Sequence, residues 1–170
     1  YMQSNIMLTY VRIFTLAKEK LYITNPYFIP NESIVDSLKQ AAISGVDVRL
    51  IVPEKSDSAV VGAASRFYFE ELLTAGVRIF LYKKGFVHAK TVVADGRLSV
   101  VGTANMDIRS FDLNFEIMSV IYGGEFAKEL EGVYFDDLKE CREINADQWN
   151  KNGILKRLWY AVARLISSFL

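Results

Sequence analysis

The residues with the clearest chemical potential are His88 and Lys90, which are separated by one residue. His88 is the single histidine among 170 residues. An imidazole can form a covalent bond or transfer a proton, and a nearby ammonium group stabilises negative charge on phosphorus-bound oxygens. Such a pair therefore suits phosphoryl transfer. Apolar and polar residues alternate over residues 87–94, which predicts a strand on which His88 and Lys90 point to one side, opposite Val87 and Ala89.

A longer pattern surrounds this pair. It reads His-x-Lys-x4-Asp-x6-Gly-x2-Asn, and its fixed positions are His88, Lys90, Asp95, Gly102 and Asn105. A His-x-Lys pair alone occurs by chance in many proteins, and a lone histidine is commonly a hydrogen-bonded structural group. Five fixed positions over 18 residues are far more specific. The pattern resembles the signature of the phospholipase D superfamily.

Two further segments, residues 105–116 and residues 23–30, resemble the bacterial cardiolipin synthase branch of that superfamily. The resemblance spans roughly residues 5 to 170. It implies that a phosphatidyl group is transferred between two phosphatidylglycerol molecules with release of glycerol, through a phosphohistidine intermediate. It also implies that no metal or other cofactor is needed, and that the work is done at a bacterial cell membrane, by a chain that faces the cytoplasm or is peripheral.

The resemblance implies a role for each motif residue. His88 acts as the nucleophile or as the general acid, and the second role is favoured because the first motif of two-motif enzymes usually provides the nucleophile. Lys90 and Asn105 hold the phosphate oxygens. Glu116 binds the imidazole nitrogen opposite the reacting one, which fixes the tautomer. The place of Asp95 in the signature is also a good turn, Asp95-Gly96, from which we expect a supporting role that holds the hairpin carrying His88.

Three more residues are candidates for substrate contacts. Arg109 and Ser110 lie just after the motif, where we expect them to support the site or to contact a headgroup. Tyr27 follows a short strand and is expected to line the substrate cleft.

Hydrophobic periodicity and turn residues predict an α/β protein. The expected helices cover 5–19, 31–44, 57–75 and 124–142, and the expected strands cover 21–24, 46–52, 77–82, 87–94, 97–101 and 114–122. The alternation of strands and helices up to residue 82 predicts parallel pairing, and Asp95-Gly96 predicts a hairpin. We therefore expect an α/β/α sandwich with a mixed, mainly parallel central sheet. A phospholipase D-like catalytic domain is expected over 5–145.

The segment 146–170 is expected to form a C-terminal amphipathic helix. From residue 154 onwards, its large apolar side chains fall on one helical face: Leu155, Leu158, Trp159, Val162, Leu165, Ile166 and Phe169. The basic residues fall elsewhere, and no acidic residue follows Asp147. Two interpretations stand side by side: this face lies in a membrane interface, or it packs on the core of the domain.

The composition excludes several classes of protein. Lys plus Arg equals Asp plus Glu at 20 each, which argues against a nucleic-acid binder with a broad basic surface. The single cysteine, Cys141, allows no intrachain disulfide, and there is no Cys/His cluster for zinc. No apolar run approaches the roughly 18 to 20 residues of a membrane span.

The expected partners are a phospholipid substrate, a membrane surface and a second motif, whereas nucleic acid is not expected. Only one motif is present, although the cardiolipin synthase branch carries two in one polypeptide. We therefore expect either a missing N-terminal half that bears the other motif, or a second copy of this chain. Two other classes remain open: another phospholipase D-type phosphodiesterase, including a dimeric nuclease, and a non-catalytic lipid-surface module.

Overall fold

The computed structural model describes residues 4–167, apart from the side chains of Gln148 and Asn150. Its centre is a seven-stranded sheet in the order β8-β6-β5-β1-β3-β4-β9, beside a two-stranded sheet of β2 and β7. The strands are β1 (Lys20–Thr24), β2 (Phe28–Ile29), β3 (Asp47–Pro53), β4 (Arg78–Tyr82), β5 (Thr91–Ala94), β6 (Leu98–Gly102), β7 (Met106–Asp107), β8 (Met118–Tyr122) and β9 (Cys141–Glu143).

Eight helices surround the sheet within the described residues. They are α1 (Asn5–Leu16), α2 (Glu32–Ile43), α3 (Ala59–Phe67), α4 (Phe69–Thr74), α5 (Ile108–Asp112), α6 (Gly124–Lys139), α7 (Ala146–Asn150) and α8 (Ile154–Ser167). Local sequence explains where several of them begin. The Asn31 side chain accepts a hydrogen bond from the backbone of Ile34, so it caps α2 as its sequence position predicts.

The sheet is mixed, and its parallel pairing lies in the centre. Strand β3 pairs in parallel with both β1 and β4, and the connections between these strands contain α2, α3 and α4. The outer pairs, β1–β5, β5–β6, β6–β8 and β4–β9, are antiparallel. The β5–β6 connection is the tight turn expected at Asp95-Gly96, where both residues have positive φ.

Helices cover both faces of the sheet. On one face, α1, α2 and α4 contribute Tyr10, Leu38 and Phe69 to a core with the inward side chains of the central strands. On the other face, Tyr134 of α6 stacks on Tyr22 of β1 with ring centroids 5.0 Å apart. The predicted α/β/α sandwich is therefore confirmed.

Two predicted strands that bear on the site are shorter than expected. The predicted strand 87–94 is paired only over Thr91–Ala94, because β1 ends at Thr24, which faces Thr91, and Asn25 follows it. Likewise the predicted strand 114–122 is paired only from Met118 onwards, because its partner β6 ends at Gly102 opposite that residue. The segments that carry His88 and Glu116 are consequently loops that lead into strands.

Three helix predictions were also too long. The expected helix 57–75 is two helices, which are broken at Tyr68 so that Phe69 can turn into the core. The expected helix 5–19 ends at Leu16. The expected helix 124–142 ends at Lys139, and Cys141–Glu143 instead adds β9 to the open edge of β4.

The C-terminal region contains α7 and α8, and its last residues 168–170, including Phe169, lie outside the described residues. Helix α8 packs against α3, where Tyr160 and Ala163 are buried with Ala63 and Ala64. No helix within residues 4–167 is both long and apolar enough to cross a bilayer. The division of the chain at residue 145 stays a prediction.

Candidate active site

Lys90 is the centre of the candidate site, since it is a buried cation directly before β5. The residue is 7% exposed, and its Nζ donates a hydrogen bond of 2.8 Å to the backbone oxygen of His88. Burial lowers the pKa of Lys90, whereas the negative charges of Glu116 and Asp107 act in the opposite direction. Within the described part of the chain, Lys90 forms no ion pair. Its two remaining N–H donors are thus available to an anion.

His88 lies at the surface beside this lysine. Its ring contacts Phe86 and Tyr27, with centroid distances of 5.5 and 6.1 Å. The side chain is exposed, and between residues 4 and 167 no hydrogen bond restrains its imidazole. Tyr27 and Phe86 also contact each other, so the three rings form one cluster, in which His88 stays exposed to a substrate. The two residues were expected to point to one side of a strand, but both precede β5, and His88 is exposed whereas Lys90 is buried.

Glu116 is close enough to Lys90 to influence its charge, but its hydrogen bonds go elsewhere. The carboxylate accepts hydrogen bonds from the Thr103 hydroxyl and, at 3.3 Å, from the Asn114 amide. The expected hydrogen bond between Glu116 and His88 is not formed in this structure. Thr103 was not singled out in the sequence, although it lies on the motif loop between Gly102 and Asn105.

Gly102 explains how Glu116 reaches the site. A Cβ atom at this position would lie 2.5 Å from the backbone oxygen of Ile117. Any residue other than glycine would therefore force the chain to shift. The backbone of Gly102 also donates a hydrogen bond to the oxygen of Lys90. The glycine of the motif therefore lets the segments of Lys90 and Glu116 approach each other.

Asn105 lines a cavity of about 320 Å³ next to these residues, together with Tyr27 and Arg109. Its backbone N–H donates to the Ser110 hydroxyl at 3.2 Å, while its side-chain Oδ1 is buried without a hydrogen-bond partner among the described residues. Ser110 is buried, so it supports the loop of Asn105 from behind rather than facing the cavity. Arg109 is exposed at the cavity.

Asp95 lies at the other end of β5 from Lys90, in the turn before β6. Its carboxylate accepts hydrogen bonds from the backbone N–H groups of Lys18, Glu19 and Lys20 at 2.8–3.2 Å. Partial burial acts to raise the pKa of Asp95, but these backbone hydrogen bonds outweigh it and hold the pKa below its ordinary value. In this structure Asp95 anchors the start of β1 and does not contact the other motif residues.

Two polar residues of the site region, Asp57 and Asn25, were not singled out as site residues in the sequence. The Tyr27 hydroxyl donates a hydrogen bond to Asp57, which lies 30 residues further along the chain and lines the same cavity. Burial and this hydrogen bond raise the pKa of Tyr27 to about 12. Asn25 is buried, and its Oδ1 accepts a hydrogen bond from the backbone of Met106, while its Nδ2 has no partner in the described region.

Comparison with known proteins finds relatives over most of this chain. The cardiolipin synthase from Clostridium perfringens is 45% identical over 161 residues, which cover 95% of this chain and 34% of that protein. The chain thus spans about a third of the length of the relative that it matches.

Solved structures show the same fold. The phospholipase D family member Nuc from Salmonella typhimurium superposes with a TM-score of 0.71 at 18% identity, over 81% of this chain and 90% of that one. Phosphatidylserine synthase from Haemophilus influenzae gives 0.69 at 18% identity, over 98% of this chain and 43% of that one. The family described as "Cardiolipin synthase, PLD-like domain" matches residues 10–138. This match covers more than half of the chain and includes the whole motif from His88 to Asn105, so the chain belongs to that family, the PLD-like domain of cardiolipin synthase.

Proposed function

We propose that this chain provides one half of a phosphatidyl-transfer site that joins two phosphatidylglycerol molecules into cardiolipin and releases glycerol. The observation that carries the proposal is the exposed imidazole of His88 beside the buried cation of Lys90, which forms no ion pair within the described residues. Such an arrangement offers a reacting nitrogen next to a place where phosphate oxygens are stabilised. The similarity to cardiolipin synthases supports the same choice of substrate.

The proposed reaction has two displacements at phosphorus. In the first, an imidazole nitrogen bonds to the phosphorus of one phosphatidylglycerol, and the glycerol oxygen leaves with a proton from a second imidazole. In the second, that imidazole takes the proton from a hydroxyl of the other phosphatidylglycerol, whose oxygen displaces the histidine. We assign His88 the acid-base role. Lys90 and Asn105 bind the phosphate oxygens, Arg109 and Tyr27 contact the headgroup, and Glu116 orients His88 once the site closes.

The two-imidazole reaction needs a second histidine, and these 170 residues contain one. The partner is therefore a segment that bears the other motif, in the same polypeptide or in a second copy of this chain. Because both substrates are membrane lipids, the proposal places the reaction at the surface of the bacterial cell membrane. Asp95 acts in this proposal only by holding the β5–β6 hairpin.

The test is phosphatidyl transfer by the protein expressed from its complete reading frame, with vesicles that contain phosphatidylglycerol. We expect His88→Asn to lower the formation of cardiolipin by about 10²- to 10⁴-fold, which is the contribution typical of an acid-base group. Lys128→Gln, at an exposed position on α6, is the matched control and should leave the rate unchanged. Retention of a tenth of the activity by His88→Asn would refute the assignment.

A phosphodiesterase that acts on nucleic acid is the second candidate, because the fold also superposes on nearly all of Nuc. At 18% identity that likeness concerns the fold alone. The zero net charge of the chain does not favour a nucleic-acid substrate. Hydrolysis of single-stranded DNA in the same preparation, abolished by His88→Asn, would favour this candidate over phosphatidyl transfer.

A further inference from the structure

Helix α8 is oriented against the usual rule for amphipathic helices. Its small and polar side packs on α3, where Tyr160 and Ala163 are buried. Its apolar side points outward. We call this side the α8 apolar face, and its side chains are 39–83% exposed: Ile154, Leu155, Leu158, Trp159, Val162, Leu165 and Ile166. A contiguous apolar surface of this size on a soluble domain normally marks a docking site.

The contacts on the inner side explain this orientation. Arg157 forms an ion pair with Glu70 of α4, and the Arg164 guanidinium lies over the Phe67 ring and donates a hydrogen bond to the Tyr68 hydroxyl. These two arginines therefore fix the rotation of α8 about its axis. The outward position of the apolar side follows from specific contacts of the helix with α3 and α4.

The charge around the face identifies what covers it. From residue 148 onwards the sequence contains no acidic residue, and two exposed lysines flank the start of α8: Lys151 precedes the helix and Lys156 lies in its first turn. Lysine is depleted at the centres of protein–protein interfaces, whereas an anionic lipid surface attracts it. Trp159 adds the amphipathic ring that favours the level of the lipid headgroups. An apolar helix face with flanking lysines matches an anionic bilayer.

The position of α8 also connects this face to the candidate active site. Ser167, near the C-terminal end of α8, lines the cavity that contains Asn105 and Arg109. Ile108 and Leu113 line the same cavity and are exposed by 43% and 73%. The C-terminal end of α8 and two exposed apolar side chains therefore lie at the same cavity.

We propose that the α8 apolar face is a docking surface for an anionic phospholipid bilayer, and that it holds the mouth of the cavity at the level of the lipid headgroups. The second part rests on the proposed function, because it assigns lipids to that cavity. A lipid then reaches the cavity that contains Asn105 by moving along the bilayer, without full transfer into water.

The first experiment measures co-sedimentation of the protein with vesicles, using phosphatidylglycerol mixed with phosphatidylcholine, and phosphatidylcholine alone. We expect the double variant Leu155→Ser/Leu158→Ser to lower partition onto the mixed vesicles by about 100-fold, from the burial of two leucines. The matched control is Leu16→Ser/Ile43→Ser, which changes two comparably exposed apolar residues on α1 and α2. The control should bind like the wild type.

A charge variant tests the same surface independently of the leucines. Lys151→Gln/Lys156→Gln should lower binding to the anionic vesicles by about 30-fold at low salt, and should leave the weaker binding to phosphatidylcholine unchanged. Melting temperatures within about 3 °C of the wild type show that each variant is folded. Light scattering after size exclusion reports whether any variant changes the oligomeric state.

Unchanged vesicle binding by the leucine variant, or equal loss by its control, would overturn the proposal. So would wild-type protein that does not sediment with anionic vesicles. A leucine variant that converts a dimer into a monomer and keeps its vesicle binding would show that a second copy covers the face. Failure of the proposed function is measured separately. His88→Asn should bind vesicles like the wild type, even if the wild type shows no phosphatidyl transfer. The leucine variant should keep transfer on short-chain phosphatidylglycerol in solution.

Discussion

Replacement of Asp95 by asparagine separates the structural role of this motif residue from a chemical one. The Asp95 carboxylate accepts hydrogen bonds from three backbone N–H groups, those of Lys18, Glu19 and Lys20. Asparagine is well suited to this test because it tolerates the left-handed backbone that Asp95 adopts, with φ of 52°. The substitution therefore removes the charge and one acceptor oxygen with little added backbone strain.

The size of the effect follows from these hydrogen bonds. A hydrogen bond to a charged group contributes about 1.5–3 kcal/mol, and three bonds to one half-buried carboxylate are less than additive. We therefore expect Asp95→Asn to lower the free energy of unfolding by about 2–4 kcal/mol, which is about 5–15 °C in melting temperature for a chain of this length. Asp95→Ala should lose about 1 kcal/mol more, because alanine disfavours positive φ.

The effect should also depend on pH. The pKa of Asp95 is lowered in the folded state, so its contribution is present above the unfolded pKa of about 3.9 and disappears as the pH falls through the folded value. The difference in stability between the wild type and Asp95→Asn should accordingly be constant near pH 7 and shrink below about pH 4. Urea unfolding at a series of pH values measures this.

The control is Asp136→Asn, since Asp136 is exposed on α6 and pairs with Lys139 three residues further on. It should change the stability by less than about 0.5 kcal/mol. At a temperature well below melting, Asp95→Asn should retain phosphatidyl transfer within about twofold. A variant with unchanged stability and lost transfer would show that Asp95 takes part in the chemistry, contrary to this reasoning.

Two further predictions concern the cavity and the loop contacts. Gly102→Ala should lower the melting temperature and the transfer rate together, because its Cβ would lie 2.5 Å from the Ile117 oxygen. The control is Gly132→Ala on α6, whose Cβ would meet no atom of the described residues within 4 Å. A fully active Gly102→Ala would contradict the close approach. Asp57→Asn should raise KM for phosphatidylglycerol more than it lowers kcat, because the Tyr27 hydroxyl loses its charged acceptor at the wall of the cavity. A variant with unchanged kinetic constants and an unchanged Tyr27 pKa in a spectroscopic titration would contradict that.

The sequence predicts the elements of this fold better than their ends. Periodicity identified the longer helices and strands and missed the short elements β2, β7 and α5, and strand ends depend on where the partner strand stops. Thr91 is the first paired residue of β5 because Thr24 is the last of β1, and nothing near residue 88 carries that information. The same reason moves the start of β8 from the predicted residue 114 to Met118.

Within the site, the spacing of the motif identified the reactive and charged residues but not their hydrogen-bond partners. The motif located His88, Lys90 and Asn105, which the structure brings to one region. The hydroxyl of Thr103 that binds Glu116, and the carboxylate of Asp57 that binds Tyr27, depend on loop conformations that one sequence does not specify. Residues 13 and 30 positions apart can meet only once the fold has formed.

Helix α8 shows a different limit of periodicity. The pattern correctly groups the apolar residues on one face, but it does not indicate which face is buried. Packing against α3 is decided by shape, because Ala63 and Ala64 allow Ala163 to approach closely and Tyr160 to fit beside them. The larger residues Leu155 and Leu158 remain exposed.

The spacing between Lys90 and Asp95 has a structural reason. The four residues between them, Thr91–Ala94, are strand β5, whose inner side chains alternate between the two cores of the sheet. Lys90 precedes the strand at the site, and Asp95 follows it at the anchor on the α1–β1 connection. Insertion or deletion of one residue in this strand would exchange its two faces and place Val92 and Val93 on the wrong sides. The spacing of the motif is therefore the length of strand that joins the buried cation of Lys90 to the hydrogen bonds that hold its hairpin in place.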